Sequence, residues 1–177
     1  MRDRTISTLT FSAAAALLLY GYASSATAAD APQAKATIEA RSDSTVTGAA
    51  TFTELSKGGV MVHVHIEKAP PGTHGLHIHE KGDCSDPKGA SAGGHFNPGE
   101  MPHSGPMDMK RHAGDLGNIE IKADGTGDLD ITSDMLTVKA GPNSVVGRSV
   151  VFHEKADDLK TQPTGNAGGR FGCGVIQ

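Results

Sequence analysis

Tryptophan is missing from this sequence, and the aromatic share is only 4%. No stretch shows a convincing helical stripe, which argues against a helix bundle. With 23 Gly and 9 Pro in 177 residues, the chain points instead to many turns and long loops. Internal repeats and low-complexity tracts are absent as well. Positive charge is not in excess: the formal net charge is −4, which removes nucleic-acid binding from the classes to consider. A net-negative protein that attracts an anion then needs a local positive spot. Cysteine is scarce, with Cys84 and Cys173 the only two. What remains is long enough for one domain with a core of its own.

The N-terminus differs in kind. Arg2 and Arg4 give a basic start, an apolar run follows over residues 11–22, and Ala26-Thr27-Ala28 offers small residues for cleavage. Residues 1–28 therefore read as a secretory signal peptide. The rival is a membrane anchor, but a run of about 12 residues is short of the ~20 needed to span a bilayer. Stable membrane insertion is not expected, and the destination is an oxidising space such as a periplasm. Arg2, Asp3 and Arg4 leave with the peptide, taking the formal net charge from −4 to −5. Residues 29–177 form the expected mature domain. In an exported chain an even cysteine count suggests a disulfide. Joining Cys84 to Cys173 would close a loop of about 90 residues, worth on the order of 4–5 kcal/mol by chain entropy.

From Ala36 onward the apolar pattern has period two. Val60, Val62, Val64 and Ile66 alternate with Met61, His63, His65 and Glu67, a strand with one buried face. Ile119 and Ile121, a turn at Asp124-Gly125, then Leu129 and Ile131 predict a hairpin. Further strands are predicted over residues 45–55, 149–152 and 171–176. Six to eight short antiparallel strands argue for an all-β sandwich or barrel. Residues 81–117 and 154–169 break the pattern, and aperiodic stretches of that length are uncommon in a compact domain unless functional.

Nine histidines occur, and they are not equivalent. His77 and His79 lie two apart in Gly75-Leu76-His77-Ile78-His79-Glu80, so a strand would point both rings the same way. His63 and His65 have the same spacing but oppose the apolar face of their strand, and they read as ordinary solvent-facing histidines. His74 reads as a non-ligand. The loop after His79 holds His95, His103, His112 and Asp115. A polar loop with three histidines and an aspartate cannot fold by burying apolar surface, but it can fold around a cation. Three His and one Asp suit a closed, structural Zn²⁺ site. His77, His79 and His153, with His95 as a possible fourth, form a nitrogen-rich set that suits Cu(II). Each set is one ligand short unless His95 serves both through its two ring nitrogens. Two unconnected sites, or one zinc site with surface histidines nearby, are the simpler alternatives.

Several segments carry a resemblance: Gly75 to Glu80, Gly94-His95-Phe96-Asn97-Pro98, His112 to Asn118, His153 to Leu159, Gly165-Asn166-Ala167-Gly168-Gly169-Arg170, and Cys173-Gly174-Val175-Ile176. In this order they resemble the copper/zinc superoxide dismutase family, from about Ala36 to Gln177. The resemblance implies an eight-stranded antiparallel Greek-key β-barrel with two long functional loops. It implies one copper per subunit on His77, His79, His95 and His153, and one zinc on His95, His103, His112 and Asp115. Asp157 falls where the family places a carboxylate linking a copper histidine to a zinc histidine. Cys84 and Cys173 match its intrasubunit disulfide. Arg170 matches the arginine beside the copper, the positive spot for an anion, and Lys155 and Lys160 are candidates to extend its field.

The implied activity is conversion of superoxide to oxygen and hydrogen peroxide by Cu(II)/Cu(I) cycling, with His95 and Arg170 as catalytic residues. The rival is a non-catalytic periplasmic copper- and zinc-binding protein on the same fold. Leu76 stands where an aromatic is usual, and the segment between Leu159 and Thr164 is short, as in bacterial members. The family is often dimeric, so a homodimer is one allowed state, but no apolar stripe declares an interface.

Overall fold

Alternation along each strand decides which face turns inward, and in a computed structural model describing residues 31–177 it yields eight antiparallel strands. The expected signal peptide lies outside the described residues. The strands are β1 (Gln33–Ala40), β2 (Thr47–Glu54), β3 (Val60–Glu67), β4 (Gly72–His79), β5 (Asp115–Ile121), β6 (Gly127–Ser133), β7 (Ser149–His153) and β8 (Arg170–Val175). One short 3₁₀ turn covers Ala90–Ala92. Neighbouring strands run in the order β5-β4-β7-β8-β1-β2-β3-β6. The two end strands, β5 and β6, approach each other and nearly close the sheet into a barrel.

The expected hairpin is present only at its tip. The turn forms, with Lys122 N–H donating to the Thr126 carbonyl at 2.8 Å. The arms then part, β5 laddering with β4 and β6 with β3. Barrel closure, rather than chain adjacency, decides their partners. The approach is close enough that a Cβ on Gly127 would lie 2.5 Å from the Glu120 carbonyl oxygen.

β3 shows the simple case. Val60, Val62, Val64 and Ile66 are fully buried, while Met61, His63 and Glu67 face solvent. The inward side packs with Ile38, Phe52, Leu76, Ile78 and Phe152 in one apolar core. β4 departs from this pattern, since both of its faces are buried from His74 onward. Leu76 and Ile78 point into the core. The opposite face of β4, carrying His77 and His79, lies under the two long loops, residues 80–114 and 154–169. Cys84 and Cys173 are joined, with Cα atoms 5.8 Å apart, and the bond ties the first of these loops to β8. Ala92 and Val151 pack around it. Among the described residues no helix is long and apolar enough to cross a membrane.

Candidate metal centre

β4 delivers His77 and His79 on one face because strand residues two apart share a side. β7 ends on His153 and pairs with β4 so that Val151 lies opposite His77. The loop after β4 returns His95 against His79 through an isolated antiparallel bridge. Four rings are thus collected: one ligand atom from each of His77, His79, His95 and His153 lies within 4.8 Å of the others, and all four residues are buried. A second group has the same property and shares a member, namely His95, His103, His112 and Asp115.

The shared ring faces each group with a different nitrogen. His95 Nδ1 is 2.9 Å from Asp115 Oδ1 and 3.4 Å from His112 Nδ1. His103 Nδ1 and His112 Nδ1 approach the same Oδ1 at 3.0 and 3.3 Å. Tetrahedral donors about 2.0–2.1 Å from a zinc ion lie about 3.3–3.4 Å apart, so this cluster is close to the edges of such a tetrahedron. Hydrogen bonding accounts for it poorly, because two like nitrogens face each other as well as a common oxygen. In the other group His79 Nε2 and His153 Nε2 face each other at 3.4 Å. His77 Nδ1 and His95 Nε2 are buried there without a hydrogen-bond partner. Unpaired buried nitrogens are costly unless something accepts their lone pairs, and imidazole nitrogens suit copper or zinc. The residues therefore fit both ions.

Outer contacts orient the rings. Asp157 accepts from His77 Nε2 through Oδ2 at 2.8 Å and from His103 Nε2 through Oδ1 at 2.9 Å, joining one ring of each group. His79 Nδ1 donates to the Gly93 carbonyl at 2.9 Å. Gly165 permits the Asp157–His103 contact: a Cβ there would overlap Asp157 Oδ1, and its φ of 65° also favours glycine. Two clamps escaped the sequence reading. Gln162 receives the His103 backbone N–H and donates to the His103 carbonyl, both at 2.8 Å. Asn118 does the same for Asp157, at 2.7 and 2.9 Å. Gln162 lies within the second long loop and Asn118 within β5, and only Asn118 sat inside a recognised segment.

Electrostatics keep most of these rings in the ligand form. Burial, with help from neighbouring His77 and His103, pushes His95 down to about 4 despite its bond to Asp115. Burial likewise holds His79 and His153 well below the ordinary histidine value. Asp115 lies far below the usual carboxylate range; burial opposes this, but bonds from His103, His112 and His95 prevail. His103 is the exception. Burial lowers it, yet Asp115 and Asp157 together raise it to about 9. A cation in this group would take the place of that proton.

Arg170, at the start of β8, is half-buried, and its guanidinium donates to the Gly89 and Gly93 carbonyls at 2.6 Å each. The Gly93 carbonyl thus serves both Arg170 and His79. Two of the five guanidinium N–H groups are used there, leaving others for an anion. Lys155 and Lys160 are exposed on the second loop. His74 lies in neither group: its Nδ1 and Nε2 lie 2.9 Å from the His153 and Pro70 carbonyl oxygens, and the ring stacks on Phe152. His63 and His65 face solvent on β3, as expected.

Comparison with known proteins agrees with this geometry. The family model for copper/zinc superoxide dismutase matches residues 46–176. A crystal structure of the clock protein EA4 superposes with a TM-score of 0.74 at 43% sequence identity, covering 82% of this chain and 94% of that one. The barrel, the two donor groups sharing His95, and a family match spanning most of the described residues lead to one conclusion: this chain belongs to the copper/zinc superoxide dismutase family.

Proposed function

We propose that the chain is an exported superoxide dismutase, working in a periplasm after residues 1–28 are removed, with residues 29–177 as the mature domain. In this reading His77, His79, His95 and His153 hold copper, and His95, His103, His112 and Asp115 hold zinc. The observation that carries it is His95, a single buried ring with one nitrogen in each donor group. The disulfide supports an oxidising compartment.

The overall reaction consumes two superoxide anions and two protons and yields oxygen and hydrogen peroxide. Copper supplies the one-electron redox change that zinc cannot. The protein's own residues do the rest. Arg170, always charged, binds and orients the small anion through the N–H groups not committed to Gly89 and Gly93. His95 Nε2 is the atom that takes up a proton and passes it to the departing peroxide, while Nδ1 stays fixed among His103, His112 and Asp115. Asp157 keeps His77 and His103 in the required tautomers. Because attraction of an anion by exposed charge is screened by salt, turnover should slow as ionic strength rises.

A second reading is kept because the name of a chain 43% identical states a clock role and no dismutase activity. The second reading is a chain that binds copper and zinc without turnover. Metal analysis of purified protein, followed by an assay of superoxide loss, separates the two. The expected result is one copper and one zinc per chain and rapid loss of superoxide. His153→Gln should remove copper and activity while zinc, the disulfide and the β-type circular dichroism persist. Activity surviving in H153Q would overturn the copper assignment, and full metal content without activity would favour the binding protein.

A further inference from the structure

His63 and His65 stay outside the metal centre, yet they are not bare. They occupy successive outward positions of β3, and Glu67 takes the next one. Across the ladder His63 faces Asp130 and His65 faces Asp128. His63 Nδ1 donates to Asp130 Oδ1 at 2.8 Å, and His65 Nδ1 donates to Asp128 Oδ1 at 2.6 Å. In the neutral rings these bonds place the proton on Nδ1 and leave Nε2 with a free lone pair. Metal-binding imidazoles are prepared in this way by an outer carboxylate, and Asp157 does the same for His77 inside the protein. Glu67 Oε1 lies 3.6 Å from His65 Nε2, so an oxygen donor stands on the same side. Lys122 Nζ lies 4.0 Å from Asp128, and with Glu67 and Asp130 also present the patch is net negative.

We propose that His63, His65 and Glu67 form a second, solvent-facing site for a divalent first-row transition ion, with Asp128 and Asp130 orienting the two rings. Two imidazole nitrogens, one carboxylate oxygen and water form a donor set for Zn²⁺ or Cu²⁺ rather than for the oxygen-seeking Ca²⁺ or Mg²⁺. Among the described residues only the two interior groups gather at least three donors within 4.8 Å. The outer donors must therefore swing together when the ion arrives. That ordering makes the outer site the weaker and more readily exchanging one.

The test uses protein carrying its full copper and zinc, titrated with Zn²⁺ at pH 8 by calorimetry. Wild type should take up one further equivalent per chain. The H63Q/H65Q double variant should take up none, with superoxide loss unchanged. D128N/D130N should bind the extra equivalent about 10–100-fold more weakly. In wild type the added Zn²⁺ should shift the ¹⁵N signals of His63 and His65 at Nε2 more than at Nδ1. Absence of the extra equivalent in wild type, or undiminished uptake by H63Q/H65Q, would overturn the proposal. The comparison of wild type with the double variant is decisive whether or not the interior centre turns over superoxide.

Discussion

Two strands of this barrel carry the same His-X-His spacing, and only one builds the enzyme-like centre. On β4 the pair His77–His79 is wholly buried, while on β3 the pair His63–His65 stands in solvent. Spacing delivers a shared face in both places. What differs is the cover. The face of β4 that bears the histidines lies beneath residues 80–114 and 154–169, and those segments add His95, His103, His112 and Asp157. The face of β3 is left open, and its partners are the two aspartates that the register of β6 brings across. The difference in burial also moves one ring of each pair in opposite directions. His77 is lowered, burial outweighing its bond to Asp157, whereas His65 is raised, its bond to Asp128 outweighing slight burial. A strand pattern thus supplies two aligned imidazoles cheaply; loops decide whether they become a dry, enclosed pair or a solvent-facing one.

The largest expected contrast comes from deleting one ring of each pair. His77→Ala removes a ring that the proposed function assigns to copper and leaves Asp157 with only His103 and the Leu159 N–H, so activity should fall by more than the roughly 100-fold that loss of an outer-sphere partner can cause. His63→Ala should leave superoxide turnover within the error of wild type, because no bond runs from that ring to the centre. Rate measurements on metal-loaded proteins check both. Equal losses would mean that the two pairs are coupled and that cover is not what separates them.

A smaller contrast separates the carboxylates behind the rings. Asp157→Asn keeps the shape but gives up a charged acceptor shared by His77 and His103. Metal affinity should drop about 10–100-fold, measured by competition with a chelator. Asp128→Asn should leave interior metal affinity unchanged. If D157N retained wild-type affinity, the clamp from Asn118 on the Asp157 backbone would be holding the loop without help from the carboxylate charge.

Period-two alternation made β3 legible from sequence in both faces, and the same logic placed His77 and His79 together. It could not show that β4 is buried on both sides, because the cover comes from segments with no periodicity of their own. The turn at Asp124-Gly125 was legible, but the pairing of its arms was not, since strand partners in a nearly closed barrel are chosen by the whole circuit. The donor sets could be counted from sequence and were completed by resemblance. That His95 offers Nδ1 to one group and leaves Nε2 to the other required coordinates. The carboxylates behind His63 and His65 lie 67 and 63 positions away in the chain, a register no local pattern reveals. Gln162 and Asn118 were missed for the same reason: a side chain that grips a distant backbone leaves no spacing signal.

The smallest effect concerns the outer pair alone, with no added metal. His65 is raised chiefly by its hydrogen bond to Asp128, so the stability it contributes is complete below the ordinary histidine value of about 6.5 and fades as pH rises through its folded-state value. Asp128 is lowered by the same bond, so its contribution is present above about 3.9 and is lost as pH falls through its own folded-state value. The pair therefore stabilises the barrel most between about pH 4 and 6.5. Thermal unfolding of wild type and D128N should differ most near pH 5–6 and converge by pH 9, and added salt should shrink the difference, as it does for exposed ion pairs. A gap that persists unchanged from pH 5 to 9 would show that Asp128 acts through hydrogen bonding or packing alone. In that case the outer pair would differ from the interior one by exposure and not by charge state.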